Sequence, residues 1–181
     1  LKEKDFQTSL LINENKILRE ELQLKNNSEN YLSARVIVVS PILESGELYL
    51  DKGSQDGIKK GQAVTYHGFL VGVVNGVKEN ICSFLPINSP RISIPVSLLS
   101  SGVSGILKSD LNGLSVEQIP IDQKISAGDK IITNSILDGL KAGIAVGEVE
   151  EVISSPSDIF QTLKIKTPVN ILQLQYVFIN I

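Results

Sequence analysis

The chain has 181 residues, enough for one or two small domains, and its 42% apolar content excludes a protein that is disordered throughout. The net charge is −3 and the basic residues are scattered, so the chain lacks the electrostatic footprint of a protein that binds nucleic acid or an anionic membrane surface. One cysteine and one histidine exclude an intrachain disulfide and a Cys/His zinc cluster.

Residues 1–30 are predicted to form a helix, because they contain none of the 14 glycines and 7 prolines of the chain. Leucine and isoleucine recur there at seven-residue spacing, which returns them to one helix face and favours a dimeric coiled coil. An asparagine in the seam would favour a parallel dimer in register. The alternative is a single amphipathic helix that lies on its own domain. The candidate dimer seam comprises Leu11, Asn15, Leu18 and Leu22, with a second stripe of Leu10, Ile17 and Leu24.

From residue 34 onward the apolar period changes to that of β-strands. Short β-branched segments follow one another, with Gly, Pro, Asn or Asp at many junctions. Many short strands with little helix between them indicate one or two closed β-barrels, because closure removes exposed strand edges. The predicted strands are 34–40, 48–52, 63–66, 69–76, 80–86, 91–98, 104–109, 114–119, 130–134, 145–154, 159–168 and 175–181.

One nine-residue phrase occurs twice, as DGIKKGQAV at 56–64 and as DGLKAGIAV at 138–146. Asp-Gly is a turn dipeptide because glycine adopts positive φ without strain. A short apolar run precedes each copy and a valine-rich strand follows it. We therefore predict that one supersecondary unit is built twice, either in two related barrels or in two halves of one barrel separated by an insertion.

No conventional active site is visible in the sequence. His67 lies in a predicted tight turn, and none of the serines lies in the Gly-x-Ser-x-Gly elbow that a hydrolase uses. Cys82 alternates with apolar neighbours and is predicted to be a buried structural residue. We therefore predict no catalytic, cofactor-binding or metal-binding residues. Four carboxylates that neighbour glycines are predicted to hydrogen-bond the backbone of turns: Asp51, Asp56, Asp129 and Asp138.

The order of these features resembles that of the MreC family of bacterial rod-shape-determining proteins, over essentially the whole chain. Each block is weak by itself, and the specificity comes from the collinear order and spacing. The chain departs from the family in two turns, with Asn134-Ser135 where Ser-Gly is usual and Leu140-Lys141 where Phe-Pro is usual. The blocks that carry the resemblance are Ala34–Ile37, Leu50–Gly61, Phe69–Val74, Pro90–Val96, Gly105–Leu107, Gly128–Asn134 and Ile144–Val149.

The resemblance implies a mainly β fold, with an N-terminal coiled-coil helix followed by two six-stranded β-barrels of chymotrypsin-like type that lack catalytic residues. The expected domains are a dimerising helix over 1–30, a first barrel over 31–103 and a second barrel over 104–181. Barrels that are discontinuous in sequence remain an alternative. The family-pattern turn residues, expected to have a structural role, are Gly53, Asp56, Gly57, Gly61, Gly128, Asp129, Gly139, Gly143 and Gly147.

The resemblance also implies a non-enzymatic scaffold of the cell-elongation machinery, which controls rod shape by organising peptidoglycan synthases. The expected location is the extracytoplasmic (periplasmic) side of the bacterial inner membrane. The resemblance implies an N-terminal transmembrane anchor. Since no apolar run in the chain reaches the roughly 18 residues of a membrane span, we expect that anchor to precede Leu1. The expected partners are a second copy or higher assemblies, a class B penicillin-binding transpeptidase, MreD, and the MreB cytoskeleton through the membrane complex. No cofactor, nucleic acid or small-molecule substrate is expected.

Two other functions are compatible with parts of the pattern. A periplasmic adaptor subunit of an export system also joins a coiled coil to β-barrels, although such adaptors usually contain a helical hairpin and here only one helix leads the chain. A divergent serine hydrolase would need His67 as its base, because the chain contains no other histidine.

Overall fold

The structure, a computed structural model, describes residues 7–8, 31–37, 46–134, 139–154 and 159–181. The chain divides into two compact units, residues 1–30 and residues 31–181. In the first unit, residues 7 and 8 are helical. The candidate dimer seam lies outside the described residues, so the coiled coil stays a prediction. Among the described residues, no helix has the length and hydropathy needed to cross a membrane.

Strands dominate the second unit, which confirms the mainly β prediction. All twelve predicted strands are present, and their described ends differ from the predicted ends by three residues or fewer. Two short 3-10 helices, Ser54–Asp56 and Ile171–Gln173, interrupt the strand pattern. The strands are β1 Tyr31–Ile37, β2 Leu48–Leu50, β3 Ala63–Tyr66, β4 Phe69–Val77, β5 Cys82–Pro86, β6 Ile94–Leu98, β7 Ser104–Asp110, β8 Gly113–Pro120, β9 Lys130–Thr133, β10 Ala145–Ile153, β11 Phe160–Lys166 and β12 Tyr176–Asn180.

Hydrogen bonds between the strands close two rings of six. The first ring runs β4-β3-β12-β1-β2-β5, and β5 pairs back with β4. The second ring runs β10-β11-β8-β7-β6-β9, and β9 pairs back with β10. Every pairing within a ring is antiparallel. Each described strand therefore has two neighbours. The two neighbours can pair with different parts of a strand, as β12 does with residues 31–35 of β1 and β2 does with residues 36–37.

Neither ring is continuous in sequence. Strand β6 follows β5 of the first ring along the chain but pairs with β7 and β9 of the second. Strand β12, the last of the chain, returns to the first ring between β1 and β3. A cut at residue 103 would separate β6 from β7, which pair over four residues. One parallel pair, Ala145 with Phe69, joins β10 to β4 and so links the rings.

Alternating side chains from both rings contribute to the core. In β11, for example, Leu163 and Ile165 are buried while Lys164 between them faces outward. Burying one such leucine or isoleucine stabilises the fold by about 1.5–3 kcal/mol. The largest fully buried side chains are Leu50, Leu70, Phe84 and Ile179 in the first ring, and Ile94, Leu98, Leu107, Ile119, Ile131 and Leu163 in the second.

The repeated phrase forms two matching turns that belong to different rings. Gly57 and Gly139 have φ angles of 88° and 90°, and Gly61 and Gly143 have φ angles of 90° and 84°. The copies also touch, since a Cβ atom on Gly139 would lie 2.9 Å from the carbonyl carbon of Gly61. However, β2 before the first copy pairs with β1 and β5, whereas β9 before the second copy pairs with β10 after it. The prediction that a whole supersecondary unit is repeated is therefore wrong, and only the turn is repeated.

A partly buried carboxylate connects the first ring to the segment that leads into the second. Nδ2 of Asn75 donates to Oε1 of Glu47 at 2.8 Å, and Nη1 of Arg91 donates to the same oxygen at 3.2 Å. Burial acts to raise the pKa of Glu47, but hydrogen bonds from Ser83, Asn75 and Arg91 and the charge of Arg91 outweigh burial and lower this pKa. The ionised form of Glu47 is therefore the form that stabilises the fold.

Replacing Glu47 by Gln is expected to reduce the free energy of unfolding at pH 7 by about 1 kcal/mol, because the variant loses charge-assisted hydrogen bonds. A lowered folded pKa contributes stability above the ordinary value of 4.5, and this contribution is lost as the pH falls through the folded pKa. The deficit of the variant should therefore shrink below about pH 4.5. Urea unfolding of the variant and the wild type, followed by circular dichroism, measures this difference in the free energy of unfolding at each pH.

Glu79→Gln, at an exposed side chain, is the matched control and should leave the stability unchanged. If the loss of stability in Glu47→Gln stays constant down to strongly acidic pH, the ionised form of Glu47 is not the form that stabilises the fold.

Candidate functional site

The one histidine and the one cysteine of the chain do not have the surroundings of a catalytic base and nucleophile. His67 lies in the exposed turn between β3 and β4, where it has a positive φ of 49° and packs edge-on against Tyr66 with 4.3 Å between ring centroids. Cys82 is buried in β5, and this burial, with smaller effects of Asp56 and Asp51, raises the pKa of its thiol to about 11. Because the thiol is protonated at neutral pH, it is a poor nucleophile. The predicted turn histidine and buried cysteine are both confirmed.

Two of the carboxylates hydrogen-bond the backbone of their own turns, since Asp56 and Asp129 accept the amide protons of Gly53 and Ser126, each at 3.0 Å. Asp51 instead accepts the amide proton of Arg35 on β1 at 2.8 Å, so the prediction that it bonds a turn is wrong. The bond from Gly53, followed by that from Lys52, lowers the pKa of Asp56. Asp138 lies outside the described residues. In the described ranges, no three His, Cys, Asp or Glu side chains lie together as a metal site would require.

The family-pattern glycines occupy two kinds of backbone position. At Gly53 and Gly147 the neighbouring backbone is so close that a Cβ atom would collide with carbonyl oxygens, those of Lys78 and Glu79 in the first case and that of Lys166 in the second. The others have positive φ: Gly57, Gly61, Gly128, Gly139 and Gly143. Both kinds of position restrict the residue to glycine through backbone geometry.

The first surface suited to protein binding is formed by β1 and β12. Tyr176 and Phe178 alternate with fully buried residues, so they point outward and are 54% and 42% exposed. Arg35 lies directly opposite Tyr176 in the strand register, and Tyr31, 48% exposed, lies on the same face of β1. Tyrosine, phenylalanine and arginine are enriched in protein–protein interfaces. We call Tyr31, Arg35, Tyr176 and Phe178 the aromatic face.

The second surface is an apolar groove of about 520 Å³. It lies where the rings are joined, because its lining includes both members of the pair that links β4 to β10. Leu99, which follows β6, is 62% exposed at this groove. The volume lies within the range of about 300–1,000 Å³ that is typical of ligand sites. The uncharged lining residues are Phe69, Leu99, Ile131, Ile132, Ala145, Gly147, Thr167 and Pro168.

Three charged side chains line the same groove. Glu148 forms ion pairs with Lys130 and with Lys166, the second at 3.2 Å between Oε1 and Nζ. The hydrogen bond from Lys130, followed by that from Lys166, lowers the pKa of Glu148, so this carboxyl group is ionised at neutral pH. Two ammonium groups and one carboxylate leave one net positive charge on the lining.

Sequence reasoning identified neither surface. The stripe of Tyr176 and Phe178 lies within a correctly predicted strand, but its partner Tyr31 lies before the start of the first predicted strand. The groove collects residues from five separate segments, so no local pattern could have indicated it.

Comparison with known proteins agrees with the resemblance in the sequence. Residues 36–180 match the family model described as rod shape-determining protein MreC, barrel core. The cell shape-determining protein MreC of Listeria monocytogenes is 31% identical over 172 residues, which are 91% of this chain and 58% of that protein. The MreC protein of Streptococcus pneumoniae is 31% identical over 162 residues, which are 84% of this chain and 60% of that protein. The chain thus spans well under two thirds of these relatives.

Solved structures show the same fold. MreC of Listeria monocytogenes has a TM-score of 0.86 at 26% identity, and the match covers 97% of this chain and 87% of that one. The major periplasmic domain of the cell shape-determining filament MreC has a TM-score of 0.71 at 28% identity, covering 86% of this chain and 97% of that one. MreC in its complex with the penicillin-binding protein PBP2 from Helicobacter pylori has a TM-score of 0.68, covering 84% and 98%, but at 14% identity this likeness shows the fold alone.

Proposed function

Because the chain belongs to the MreC family of rod shape-determining proteins, we propose that it is a non-enzymatic scaffold of the bacterial cell-elongation machinery. The match of residues 36–180 to the family barrel core carries the proposal. The curated relatives are named for cell shape and not for a catalysed reaction. In this proposal the scaffold controls rod shape by organising peptidoglycan synthases. The family match favours this function over an export adaptor or a serine hydrolase.

The proposed partners are a second copy of the chain, a class B penicillin-binding transpeptidase, MreD, and the MreB cytoskeleton through the membrane complex. The transpeptidase is supported by the relative from Helicobacter pylori that was solved in complex with PBP2. The proposed location is extracytoplasmic, which is supported by the relative described as a major periplasmic domain. An N-terminal membrane anchor is part of the same proposal.

The proposed units are a dimerising helix over residues 1–30 and two six-stranded barrels of chymotrypsin-like type. We equate the barrels with the two rings, so that β12 belongs to the first and β6 to the second. This assignment follows the strand pairing and replaces the division at residue 103.

The aromatic face is the proposed docking surface for the transpeptidase. Binding by addition of a strand needs a free sheet edge, and each described strand already has two neighbours over part of its length. Outward-facing side chains therefore offer a partner more surface than the strand edges do. Tyrosine and phenylalanine bury about 150–250 Å² each when fully buried, and Tyr31, Tyr176 and Phe178 still expose about half of their surface. These three rings on one face can therefore contribute part of an interface.

Pairing through the helix would place two aromatic faces in one particle. The second contact with a paired or membrane-bound partner then becomes intramolecular, and its effective concentration depends on the geometry of the linker. Two weak docking sites can in this way hold a synthase without either site being strong.

Deleting residues 1–30 is expected to convert a dimer into a monomer, because the deletion removes every residue of the candidate seam. Sedimentation-velocity centrifugation at micromolar concentrations measures the change. Replacing Leu11 and Leu18 by Asp in the full chain should have the same effect, since a charged side chain at a seam position is strongly disfavoured. Replacing Glu3 and Glu20 by Gln, at positions away from that seam, is the control. A full chain that sediments as a monomer would eliminate the helix as the dimerising element.

Phe178→Ser and Tyr176→Ser are each expected to weaken transpeptidase binding by roughly tenfold, the effect of truncating an aromatic anchor at an interface. Isothermal titration with the extracytoplasmic part of the class B transpeptidase from the source organism measures the affinity, and circular dichroism verifies the fold. Leu172→Ser is the matched control, because Leu172 is 91% exposed just before β12 but lies outside the aromatic face. Wild-type affinity in both aromatic variants would disprove docking at this face.

A further inference from the structure

We propose that the apolar groove is a second protein-binding site, which takes a short apolar peptide segment that carries an acidic side chain. The groove is separate from the aromatic face, since none of its lining residues lies on β1 or β12. The inference therefore holds whichever protein docks on the aromatic face.

The size and accessibility of the groove fit a peptide segment. A volume of about 520 Å³ accommodates a few side chains but not a folded surface. The groove is open to solvent, because Leu99 is 62% exposed and the Lys130 and Lys166 side chains are 59% and 63% exposed. A long acyl chain would instead fit an enclosed tunnel, and this groove is open.

The apolar lining supplies the favourable free energy of binding. Burying an exposed leucine is favourable, and Leu99 has most of its surface still exposed to water. Phe69 and Ile132, from the two strands β4 and β9, add apolar surface to the same groove. A ligand therefore gains most by presenting apolar side chains of its own.

The charges on the groove lining favour a ligand with an acidic side chain. Lys130 and Lys166 share the single carboxylate of Glu148, which leaves an excess of one positive charge on the lining. An acidic side chain balances that charge and can accept a hydrogen bond from either ammonium group. A basic side chain would add a third cation and is disfavoured. Because these ion pairs are solvent-exposed, rearranging them costs little.

Selection of random linear heptapeptides displayed on phage, with the folded full chain as the target, tests the proposal. The enriched peptides are expected to combine Leu, Ile or Phe with at least one Asp or Glu. Fluorescence anisotropy then gives the affinity of the best peptide and of its version with the acid changed to the amide. Enrichment of no peptide, or of peptides without an acidic residue, would overturn the proposal.

Variants of the chain locate the site. Leu99→Ser should reduce the affinity for the selected peptide by about tenfold. Lys166→Gln should weaken the acidic peptide by about threefold to fivefold but leave the amide version unchanged, which is the signature of a direct charge contact. The matched controls are Leu111→Ser, at a fully exposed leucine between β7 and β8, and Lys164→Gln, on the same strand as Lys166 with an ion pair to Glu150. Both controls should bind as the wild type does.

Two further outcomes contradict the inference. A selected peptide that binds Leu99→Ser and the wild type equally well lies elsewhere on the protein. Decanoate and unlabelled peptide can each be used to displace the labelled peptide. If decanoate displaces it at the lower concentration, the groove prefers an acyl chain.

Discussion

The return of β12 between β1 and β3 is the pairing on which the first ring depends. β12 pairs with five residues of β1 and with two of β3, and its inward side chains Val177 and Ile179 are fully buried. Without it, β1 and β3 would each expose a row of backbone N–H and C=O groups. In the second ring, β10 has the equivalent role, because it pairs with β9 and β11 and also touches β4.

Ring closure also determines how the molecule can bind other proteins. Because each described strand has two neighbours, outward-facing side chains are the larger surface left for recognition, and the pairing of β12 with β1 assembles the aromatic face from strands that are far apart in sequence. The link between the rings through Ala145 and Phe69 forms part of the apolar groove. The thiol of Cys82 is buried and protonated at neutral pH, and His67 lies in an exposed turn.

The sequence was sufficient to predict the strands but not their partners. Alternation and turn residues are local, so Leu163 to Thr167 could be identified as a strand without reference to the rest of the chain. The pairing of β12 with β1 joins residues that are far apart in sequence, and no local pattern encodes it. The repeated phrase shows the same limit, because its glycines predicted two turns correctly while β2 and β9 pair differently. The aromatic face and the apolar groove both depend on this long-range pairing, which explains why the residue pattern did not reveal them.

The central claim, that closed rings leave side chains as the means of recognition, is tested most directly by residue-resolved amide hydrogen exchange of the chain measured by NMR. A strand with neighbours on both sides has consecutive amides hydrogen-bonded, whereas an edge strand protects only every second amide. We predict consecutive protected amides where both neighbours pair with the same residues: Phe178 and Ile179 of β12, Leu114–Val116 of β8 and Leu163–Ile165 of β11. Alternating fast and slow exchange at these positions would show an open edge and would contradict the account.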